Sequence, residues 1–472
     1  MIAPAAQPLP RDDLLARLRD RMRWDAVVIG GGATGLGIAL DAAARGLRVA
    51  LIEQRDFASG TSSRSSKLIH GGVRYLAQGN IALVREALAE RAVLARIAPG
   101  LVSPLEFVVP CYRLGERAAL RAGLGLYDRL AGSASLGATR WLDRHETAQR
   151  LPGVRQRGLR GGVSYWDAQF DDAGMAIALM QTACALGAVA VNYIRCERMI
   201  SHGGRIASVV ARDAETGERF ELTAGCVFNA AGPWVDAVRA IADPHFPPIT
   251  RLSQGSHVVV DSRFMAGKAG MLVPRTTDGR VLFVLPWFGA LLIGTTDVAR
   301  VDAPSDPRPS RAEIAFLLNT VRGYLEVGPT DGDIRVAYSG LRPLVSIGRI
   351  QGTARLSREH AVLVEAGNLV SVVGGKWTTY RRMAEDAMDT ALRAGLLPPS
   401  PRSRTRELQL VQPRYAFRDA QDFRRHMADP AFIAWARGFT QARTDEDIRA
   451  RRARLDFLEA SSTTPAMASG PR

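Results

Sequence analysis

The sequence predicts an α/β protein, α+β when taken as a whole, in which a domain on a parallel sheet is interrupted by a domain on an antiparallel sheet. Three observations lead to this prediction. Residues 24–53 contain an apolar run, a glycine-rich turn, an alanine-rich helix and a second apolar run, the order of a βαβ unit. Residues 250–300 alternate apolar and polar residues in short runs, as antiparallel strands do. Residues 368–395 return to an apolar run followed by a helix, so the first domain resumes there.

The individual elements follow from local patterns. Runs rich in Val and Ile predict buried strands, because a strand covered on both faces needs no polar residues. These runs lie at 24–30, 47–53 and 368–375. Alanine-rich or amphipathic runs predict helices at 81–98, 171–187, 310–326 and 378–395. The remaining elements are several short strands within 189–230, a strand, turn and helix within 226–241, and a strand at 335–344.

Charge and composition narrow the function. The chain has a formal net charge of +15, with 47% hydrophobic and 23% charged residues. It is therefore a globular protein that attracts anions such as nucleic acid, acidic lipid or a phosphorylated metabolite. Lysine occurs only at Lys67, Lys268 and Lys376, and a lysine kept where arginine is usual indicates a need for a compact cation. Only 7% of the residues are aromatic, which disfavours nucleic-acid binding by base stacking.

The sequence shows little sign of a membrane-spanning helix, a secretory signal peptide or a metal-binding site. It contains no apolar run of the roughly 18 residues that a spanning helix needs, and residues 1–24 lack the apolar centre of a secretory signal. The four cysteines are scattered without a CxxC pair. This arrangement indicates reduced thiols and no metal site, and hence a cytoplasmic protein.

A G-x-G-x-x-G fingerprint stands between the first strand and its helix. Gly30 permits a tight turn, Gly32 lets a pyrophosphate approach the backbone, and Gly35 lets helix and strand pack closely. Glu53 ends the next strand, where a carboxylate accepts a hydrogen bond from a ribose hydroxyl. The fingerprint by itself leaves NAD and FAD open as the dinucleotide.

Two further strand-to-glycine turns favour FAD. They lie at 228–234 and 372–380, far from the fingerprint. An NAD domain is usually self-contained, whereas one extended cofactor can contact segments that are distant in the chain. We therefore expect FAD to be held by segments near residues 30, 65, 230 and 375.

Seven segments together resemble the FAD-dependent, respiratory glycerol-3-phosphate dehydrogenases, within the wider group of D-amino-acid oxidase-like flavoproteins. They are, in chain order, IGGGATGLGIALDAAARG, SSRSSKLIHGGVRYL, NAAGPWVD, GSHVVV, IGTTD, YSGLRPL and GGKWTTYRRMAEDA. The resemblance covers roughly residues 24–395. It implies a glutathione-reductase-type FAD-binding Rossmann domain and an inserted antiparallel-sheet substrate domain. The C-terminus departs from the family pattern, because a short helical region is predicted where the family usually carries a larger helical cap.

The predicted FAD domain is discontinuous along the chain. An N-terminal tail and helix occupy 1–23. The FAD domain takes 24–100, 160–245 and 365–398, and the substrate domain takes 101–159 and 246–364. A short helical C-terminal region is predicted at 406–459 and a disordered tail at 460–472.

The resemblance implies oxidation of sn-glycerol 3-phosphate to dihydroxyacetone phosphate by hydride transfer to the flavin, with electrons passed to membrane quinone or another acceptor. The alternative is an FAD-dependent amine or amino-acid oxidase of the same fold, and a nucleic-acid-binding flavoprotein is disfavoured. Arginine-rich terminal helices are candidates for peripheral contact with acidic lipid at the inner face of the cell membrane. A homodimer is left open.

The matching segments also supply candidate site residues. Those assigned to the cofactor are Gly30, Gly32, Ala33, Thr34, Gly35, Glu53, Gln54, Thr61, Ser62, Ser65, Ser66, Lys67, His70, Gly71, Gly72, Ala231, Gly232, Gly340, Gly375, Lys376, Trp377 and Thr378. Those assigned to a phosphorylated substrate, whose charge calls for cations, are Arg74, Tyr75, Thr295, Arg342, Arg358 and Lys376. His257 and Lys376 are equal candidates for the general base, since either side chain in its neutral form accepts a proton.

Overall fold

A computed structural model describes residues 11–20, 23–77, 79–274, 276–346 and 360–411. Its strands are β1 Trp24–Ile29, β2 Val49–Ile52, β3 Leu68–Ile69, β4 Val102–Pro110, β5 Arg140–Leu142, β6 Gly162–Phe170, β7 Val189–Val191, β8 Ile194–His202, β9 Arg205–Asp213, β10 Arg219–Asn229, β11 Thr250–Asp261, β12 Gly270–Val273, β13 Leu282–Trp287, β14 Ala290–Gly294, β15 Val298–Arg300, β16 Val336–Val345, β17 His360–Glu365 and β18 Leu369–Gly374. Its α-helices are α1 Arg11–Arg19, α2 Ala33–Ala44, α3 Val73–Ala77, α4 Ile81–Ile97, α5 Glu116–Ala131, α6 Arg144–Arg150, α7 Asp172–Ala185, α8 Val235–Ala242, α9 Arg311–Arg322 and α10 Tyr380–Arg393.

The first sheet carries the fingerprint. Its strands lie in the order β17-β18-β10-β1-β2-β7, with β9 beside β10 and β8 beside β9. The four pairings from β18 to β7 are parallel. Parallel neighbours end at the same edge of a sheet, which is where such sheets bind ligands. The three glycine turns of the sequence, after β1, β10 and β18, therefore lie side by side.

Apolar residues cover both faces of this sheet, as the continuous Val and Ile runs predict. On one face Leu36 of α2, Leu179 of α7 and Met388 of α10 pack into one buried cluster with the strands. On the other face Leu15 of α1 and Val238 of α8 do the same. The packing fixes α2 against the sheet, and its N-terminus faces the edge with the glycine turns.

The second sheet has the order β15-β11-β14-β13-β12-β4-β6-β3, with β16 beside β11 and β5 beside β6. Its pairings are antiparallel except that of β12 with β4. This confirms the prediction of a mostly antiparallel sheet. Leu317 of α9 packs on one face of this sheet and Tyr127 of α5 on the other.

One predicted domain boundary is wrong. Residues 160–245 were assigned to the FAD domain, but β6 lies in the second sheet, where it pairs with β4 from Val102↔Phe170 to Pro110↔Gly162. Strand β3, also predicted in the FAD domain, pairs with β6. An apolar run shows that a strand is buried but not which sheet it joins, so the sequence could not place β6.

Some predictions fall outside the described residues. Residues 347–359, which include Arg358, are among them, and so are residues 412–472 with most of the predicted helical region and all of the predicted tail. Within the ranges that the structure describes, no helix is long and apolar enough to cross a membrane.

Two buried ion pairs fix α4 between the two domains. Arg91 of α4 is 1% exposed and its guanidinium lies 2.6 Å from the carboxylate of Asp167 on β6. Glu90, the preceding residue, accepts two hydrogen bonds of 2.7 Å from Arg381 of α10. Buried side chains remain charged when they are paired and hydrogen-bonded in this way. These contacts hold α4 against β6 of the second sheet and against α10, which packs on the first sheet.

Candidate active site

One large cavity lies between the two sheets. It has a volume of about 1140 Å³ and is lined by the turns after β1, β10 and β18 on one side and by residues of β11, β13 and β16 on the other. Pockets for drug-sized ligands usually have volumes of about 300–1,000 Å³. The cavity therefore has room for a long cofactor with a small substrate beside it.

The fingerprint turn is packed so closely that only glycine fits. Gly30 has φ +111°, and a Cβ there would lie 2.6 Å from the carbonyl oxygen of Ala230. A Cβ on Gly35 would lie 1.9 Å from the carbonyl oxygen of Gly30. Gly32, at the N-terminus of α2, leaves bare backbone facing the cavity. A helix N-terminus with exposed backbone is suited to a pyrophosphate.

Glu53 lines the cavity and also holds the turn. Its carboxylate accepts hydrogen bonds from the amide of Gly31 at 2.6 Å and from the amide of Arg55 at 2.8 Å. Burial raises the pKa of Glu53, although these two amides act in the opposite direction. Glu53, the predicted ribose acceptor, therefore lines the cavity with part of its hydrogen-bonding capacity used by the protein.

The loop after β2 is tied to both domains. Ser62 Oγ accepts the amide of Ala33 at 2.9 Å, and the carbonyl of Ser62 accepts the indole N–H of Trp377 at 2.8 Å. Thr61 Oγ1 donates to the carbonyl of Leu341 on β16 at 2.5 Å. His70 and Thr378 exchange hydrogen bonds at 3.2 and 3.3 Å. Segments near 61–70 and 377–378 therefore form one continuous wall.

The structure places Lys67 differently from the prediction of a flavin contact. Lys67 is buried, has φ +59° and does not line the cavity. Its ammonium group donates to Asp172 at 2.6 Å and to the carbonyl of Ser63 at 2.8 Å. The other carboxylate oxygen of Asp172 accepts the hydroxyl of Ser65 at 2.7 Å. The retained lysine therefore neutralises a buried acid and holds the loop from behind.

Gly71 also lies behind the cavity wall. Its amide donates to the hydroxyl of Tyr127 at 2.7 Å, and a Cβ on Gly71 would lie 2.5 Å from that hydroxyl. Tyr127 in turn donates to Asp167, the partner of Arg91. Gly71 thus needs to be glycine for packing against α5, while Gly72, with φ +82°, lines the cavity itself.

Arg342 and Lys376 are two of the cationic side chains that line the cavity. Arg342 of β16 donates to Thr295 Oγ1 at 2.9 Å and to the carbonyl of Thr296 at 3.1 Å. Its guanidinium lies over Gly255, where a Cβ would be 2.2 Å from Nη2. The ammonium group of Lys376 lies 3.9 Å from the centre of the Tyr75 ring, a cation–π distance. The region around Arg342 is suited to an anionic group.

His257 of β11 lines the same cavity. It is 2% exposed, its Nε2 is 2.8 Å from Ser66 Oγ, and its ring stacks on Tyr338 with centroids 4.8 Å apart. Burial, followed by the charges of Arg342 and Lys67, lowers the pKa of His257 well below the ordinary histidine value. The imidazole is therefore neutral at neutral pH and able to accept a proton.

Most of the predicted site residues line this one cavity. They are Gly30, Gly32, Ala33, Thr34, Glu53, Gln54, Thr61, Ser62, Ser65, Ser66, His70, Gly72, Tyr75, Ala231, Gly232, His257, Thr295, Gly340, Arg342, Gly375, Lys376, Trp377 and Thr378. Gly35, Lys67 and Gly71 support it from outside. Arg74 lies on α3, with its side chain outside the described part of the structure, and Arg358 lies in the undescribed 347–359.

Sequence reasoning missed several residues of the cavity. Thr296, Asp297 and Arg280 also line it, and Arg280 donates to the carbonyl of Asp297 at 2.8 Å. Gly255 leaves space for Arg342, and a Cβ on Gly294 would lie 2.1 Å from the His257 ring. Both glycines stand inside segments that the resemblance quoted, GSHVVV and IGTTD, so their positions could have been noticed.

The fold and the site together define a dinucleotide-binding oxidoreductase. Bare glycine backbone at the N-terminus of α2, the acid after β2 and two further turns along one edge are the features that an extended dinucleotide requires. The chain belongs to the family of FAD dependent oxidoreductases, whose sequence profile matches residues 25–381. Its cofactor is FAD, and the exposed glycine backbone of the cavity described above fits that cofactor.

Individual relatives give more detail. The chain is 41% identical over 414 residues to the mitochondrial glycerol-3-phosphate dehydrogenase of Mus musculus. The aligned region covers 84% of this chain and 57% of the mouse protein. The structure is similar to that of the FAD-bound glycerol-3-phosphate dehydrogenase from Bacillus halodurans, with a TM-score of 0.69, 30% identity and coverage of 95% and 79%. Glycine oxidase from Geobacillus kaustophilus shares the fold, with a TM-score of 0.60, 19% identity and coverage of 83% and 99%. The chain thus spans little more than half the length of the curated mouse relative.

Proposed function

We propose that this chain oxidises sn-glycerol 3-phosphate to dihydroxyacetone phosphate. The observation that carries the proposal is the region of the cavity around Arg342, called here the anion-binding end, where Arg342 donates to the hydroxyl of Thr295, with Lys376 lining the same cavity. A phosphate monoester carries about −1.5 to −2 charges at neutral pH and prefers bidentate arginine contacts. The relatives named as glycerol-3-phosphate dehydrogenases support the same substrate.

Each group then has a defined task. Bound FAD supplies the two-electron acceptor. Arg342 and Thr295 hold the phosphate, and Lys376 either holds it as a cation or serves as the base at the substrate hydroxyl. The buried setting excludes water from the carbinol carbon of the substrate. The hydroxyl proton passes to a base, for which His257 and Lys376 are the two candidates on the cavity wall.

The pH dependence of turnover distinguishes the two bases. Only neutral imidazole accepts a proton, and the lowered pKa of His257 keeps that form present further into acid. With His257 as base, we expect kcat/KM to stay level between about pH 6 and 8, and His257→Asn to lower kcat by roughly 10²- to 10⁴-fold. An amine base must first lose its proton, so with Lys376 as base the kcat/KM of the wild type would rise steadily toward alkaline pH. That profile, together with an active His257→Asn variant, would assign the base to Lys376.

An FAD-dependent amine or amino-acid oxidase remains the second candidate. The fold shared with glycine oxidase favours it, but such substrates present a carboxylate and an amine. Arg342 and Lys376, both on the cavity wall, suit a doubly charged phosphate better than a carboxylate. For electron transfer we propose quinone or another external acceptor, with the basic surface in peripheral contact with acidic lipid. A homodimer is compatible with these roles.

A direct assay separates the candidates. The purified yellow protein is mixed without oxygen with sn-glycerol 3-phosphate, glycerol, glycine or sarcosine, and the visible flavin band is followed. We expect bleaching with glycerol 3-phosphate and little with glycerol, which lacks the phosphate. Bleaching by glycine or sarcosine, with glycerol 3-phosphate inert, would establish the amine oxidase and refute our proposal.

A further inference from the structure

A buried carboxylate lies directly behind the anion-binding end of the cavity. Glu313 of α9 is 5% exposed and does not line the cavity. One of its oxygens accepts the hydroxyls of Ser256 at 2.6 Å and Thr296 at 2.7 Å. The other accepts the side-chain amide of Gln254 at 2.9 Å. Glu313 therefore connects α9 to β11 and to the segment that follows β14.

The same segment holds Arg342 on its opposite side. The carbonyl of Thr296 and the hydroxyl of Thr295 accept the two terminal nitrogens of the Arg342 guanidinium, at 3.1 and 2.9 Å. The hydroxyl of Thr296 also accepts the amide of Ser256 at 2.9 Å. A shift of Thr296 would thus move the guanidinium, and Glu313 is the charged group that prevents such a shift.

Capping of α9 accounts for only part of this arrangement. Ser310 and Glu313 form a capping box, in which the Glu313 amide donates to Ser310 Oγ at 3.2 Å and the Ser310 amide donates to Glu313 at 2.9 Å. A capping box needs neither Ser256 nor Thr296. Burial raises the pKa of Glu313, but the hydrogen bonds from Ser256, the Ser310 amide and Thr296 lower it by more, so the carboxylate is ionised at neutral pH.

We propose that Glu313 is a positioning residue for the substrate anion. It fixes Thr295 and Thr296 so that Arg342 presents both terminal nitrogens to the anionic group in the cavity. The inference rests on the proposed function in one respect, that an anion occupies this end. Its action is on binding, so it raises affinity for the anion and leaves the chemical step nearly unchanged.

The test compares Glu313→Gln with the matched control Ser310→Ala in the FAD-loaded protein. The glutamine replaces a carboxylate oxygen, which accepts hydrogen bonds, by an amide group that donates them. Ser310→Ala removes the cap at the same helix end and the Ser310 hydroxyl that donates to Glu313 at 3.0 Å, but it keeps the contacts of Glu313 with Ser256 and Thr296. The dissociation constants of inorganic phosphate and of acetate are read from the change in flavin absorbance. We expect Glu313→Gln to weaken phosphate binding and raise KM about tenfold, with kcat within about threefold. Ser310→Ala should leave both constants within about twofold.

A second variant covers the case in which Glu313→Gln does not fold. Thr296→Val keeps the carboxylate and the side-chain shape, removes the bridging hydroxyl, and should weaken phosphate in the same direction by a smaller factor. The positioning role would be overturned if Glu313→Gln and Thr296→Val bound phosphate as tightly as wild type. It would also be overturned if Ser310→Ala lost as much phosphate affinity as Glu313→Gln. Either result would leave the proposed function intact. If the wild type binds acetate but not phosphate, the phosphorylated substrate is refuted. The positioning role of Glu313 is then tested by whether Glu313→Gln weakens acetate binding. Failure to bind either anion would refute both.

Discussion

Arg342→Met is expected to lower kcat/KM for glycerol 3-phosphate by roughly 10²- to 10³-fold, mostly through KM, because a partly buried, hydrogen-bonded charge that faces an anion is worth several kcal/mol. The guanidinium is bound at both ends by Thr295 and Thr296, so it is already oriented before the substrate arrives. Arg342→Lys should recover the charge but not the two-pronged contact, and we expect most of the loss to remain.

Steady-state kinetics with an artificial electron acceptor measure this effect. The control is Arg219→Met, which removes an exposed arginine of β10 that is paired with Glu197 of β8, and its kcat/KM should match wild type within about twofold. Bound FAD per chain should be unchanged in all three variants. If Arg342→Met kept wild-type KM, the anionic group of the substrate would have to bind elsewhere in the cavity.

Gly35→Ala is expected to abolish FAD binding. The added Cβ would lie 1.9 Å from the backbone oxygen of Gly30, a separation that no rotation relieves, since both groups belong to rigid elements. Helix α2 must then move away from the turn, and the cradle for the pyrophosphate opens. The visible flavin absorbance per chain of the purified variant measures the loss, and thermal unfolding followed by circular dichroism shows the accompanying destabilisation.

The control for this change is Gly123→Ala on α5, another helical glycine. A Cβ there meets nothing within 4 Å. Alanine replaces glycine in a helix interior with a gain of about 0.5–1 kcal/mol, so this variant should keep its FAD and unfold at a slightly higher temperature. Stoichiometric FAD in Gly35→Ala would contradict the packing described for the fingerprint turn.

The sequence predicted the parts of the fold that depend on local pattern. Buried runs of Val and Ile predicted β1, β2 and β18, and Gly30, Gly32 and Gly35 predicted the turn into α2, because tight turns constrain residue type directly. The assignment of β6 was wrong since its sheet depends on pairing with β4, which is many residues away. The sequence of one strand does not show which distant strand it pairs with.

Site residues within recognisable segments could be predicted from the sequence, whereas residues that act through distant partners could not. Segments such as YSGLRPL and GGKWTTY led to Arg342 and Lys376, whose charges are unusual next to glycine and apolar residues. The segment SSRSSKLIHGGVRYL assigns Lys67 to the cofactor and leaves open whether it touches or only shields it, since its partner Asp172, 105 positions later in the chain, is not evident from the sequence. Glu313 could not be found at all, since its contacts with Ser256 and Thr296 exist only once α9 packs on the second sheet.

The most direct test of the whole account is the rate of flavin bleaching when the oxygen-free protein is mixed with sn-glycerol 3-phosphate carrying either hydrogen or deuterium at C2. The account predicts rapid bleaching with the ordinary substrate and a severalfold slower rate with the deuterated one, because the C2–H bond breaks in the step that reduces the flavin. A yellow protein that stays oxidised with both substrates, while its absorbance responds to dithionite, would contradict it.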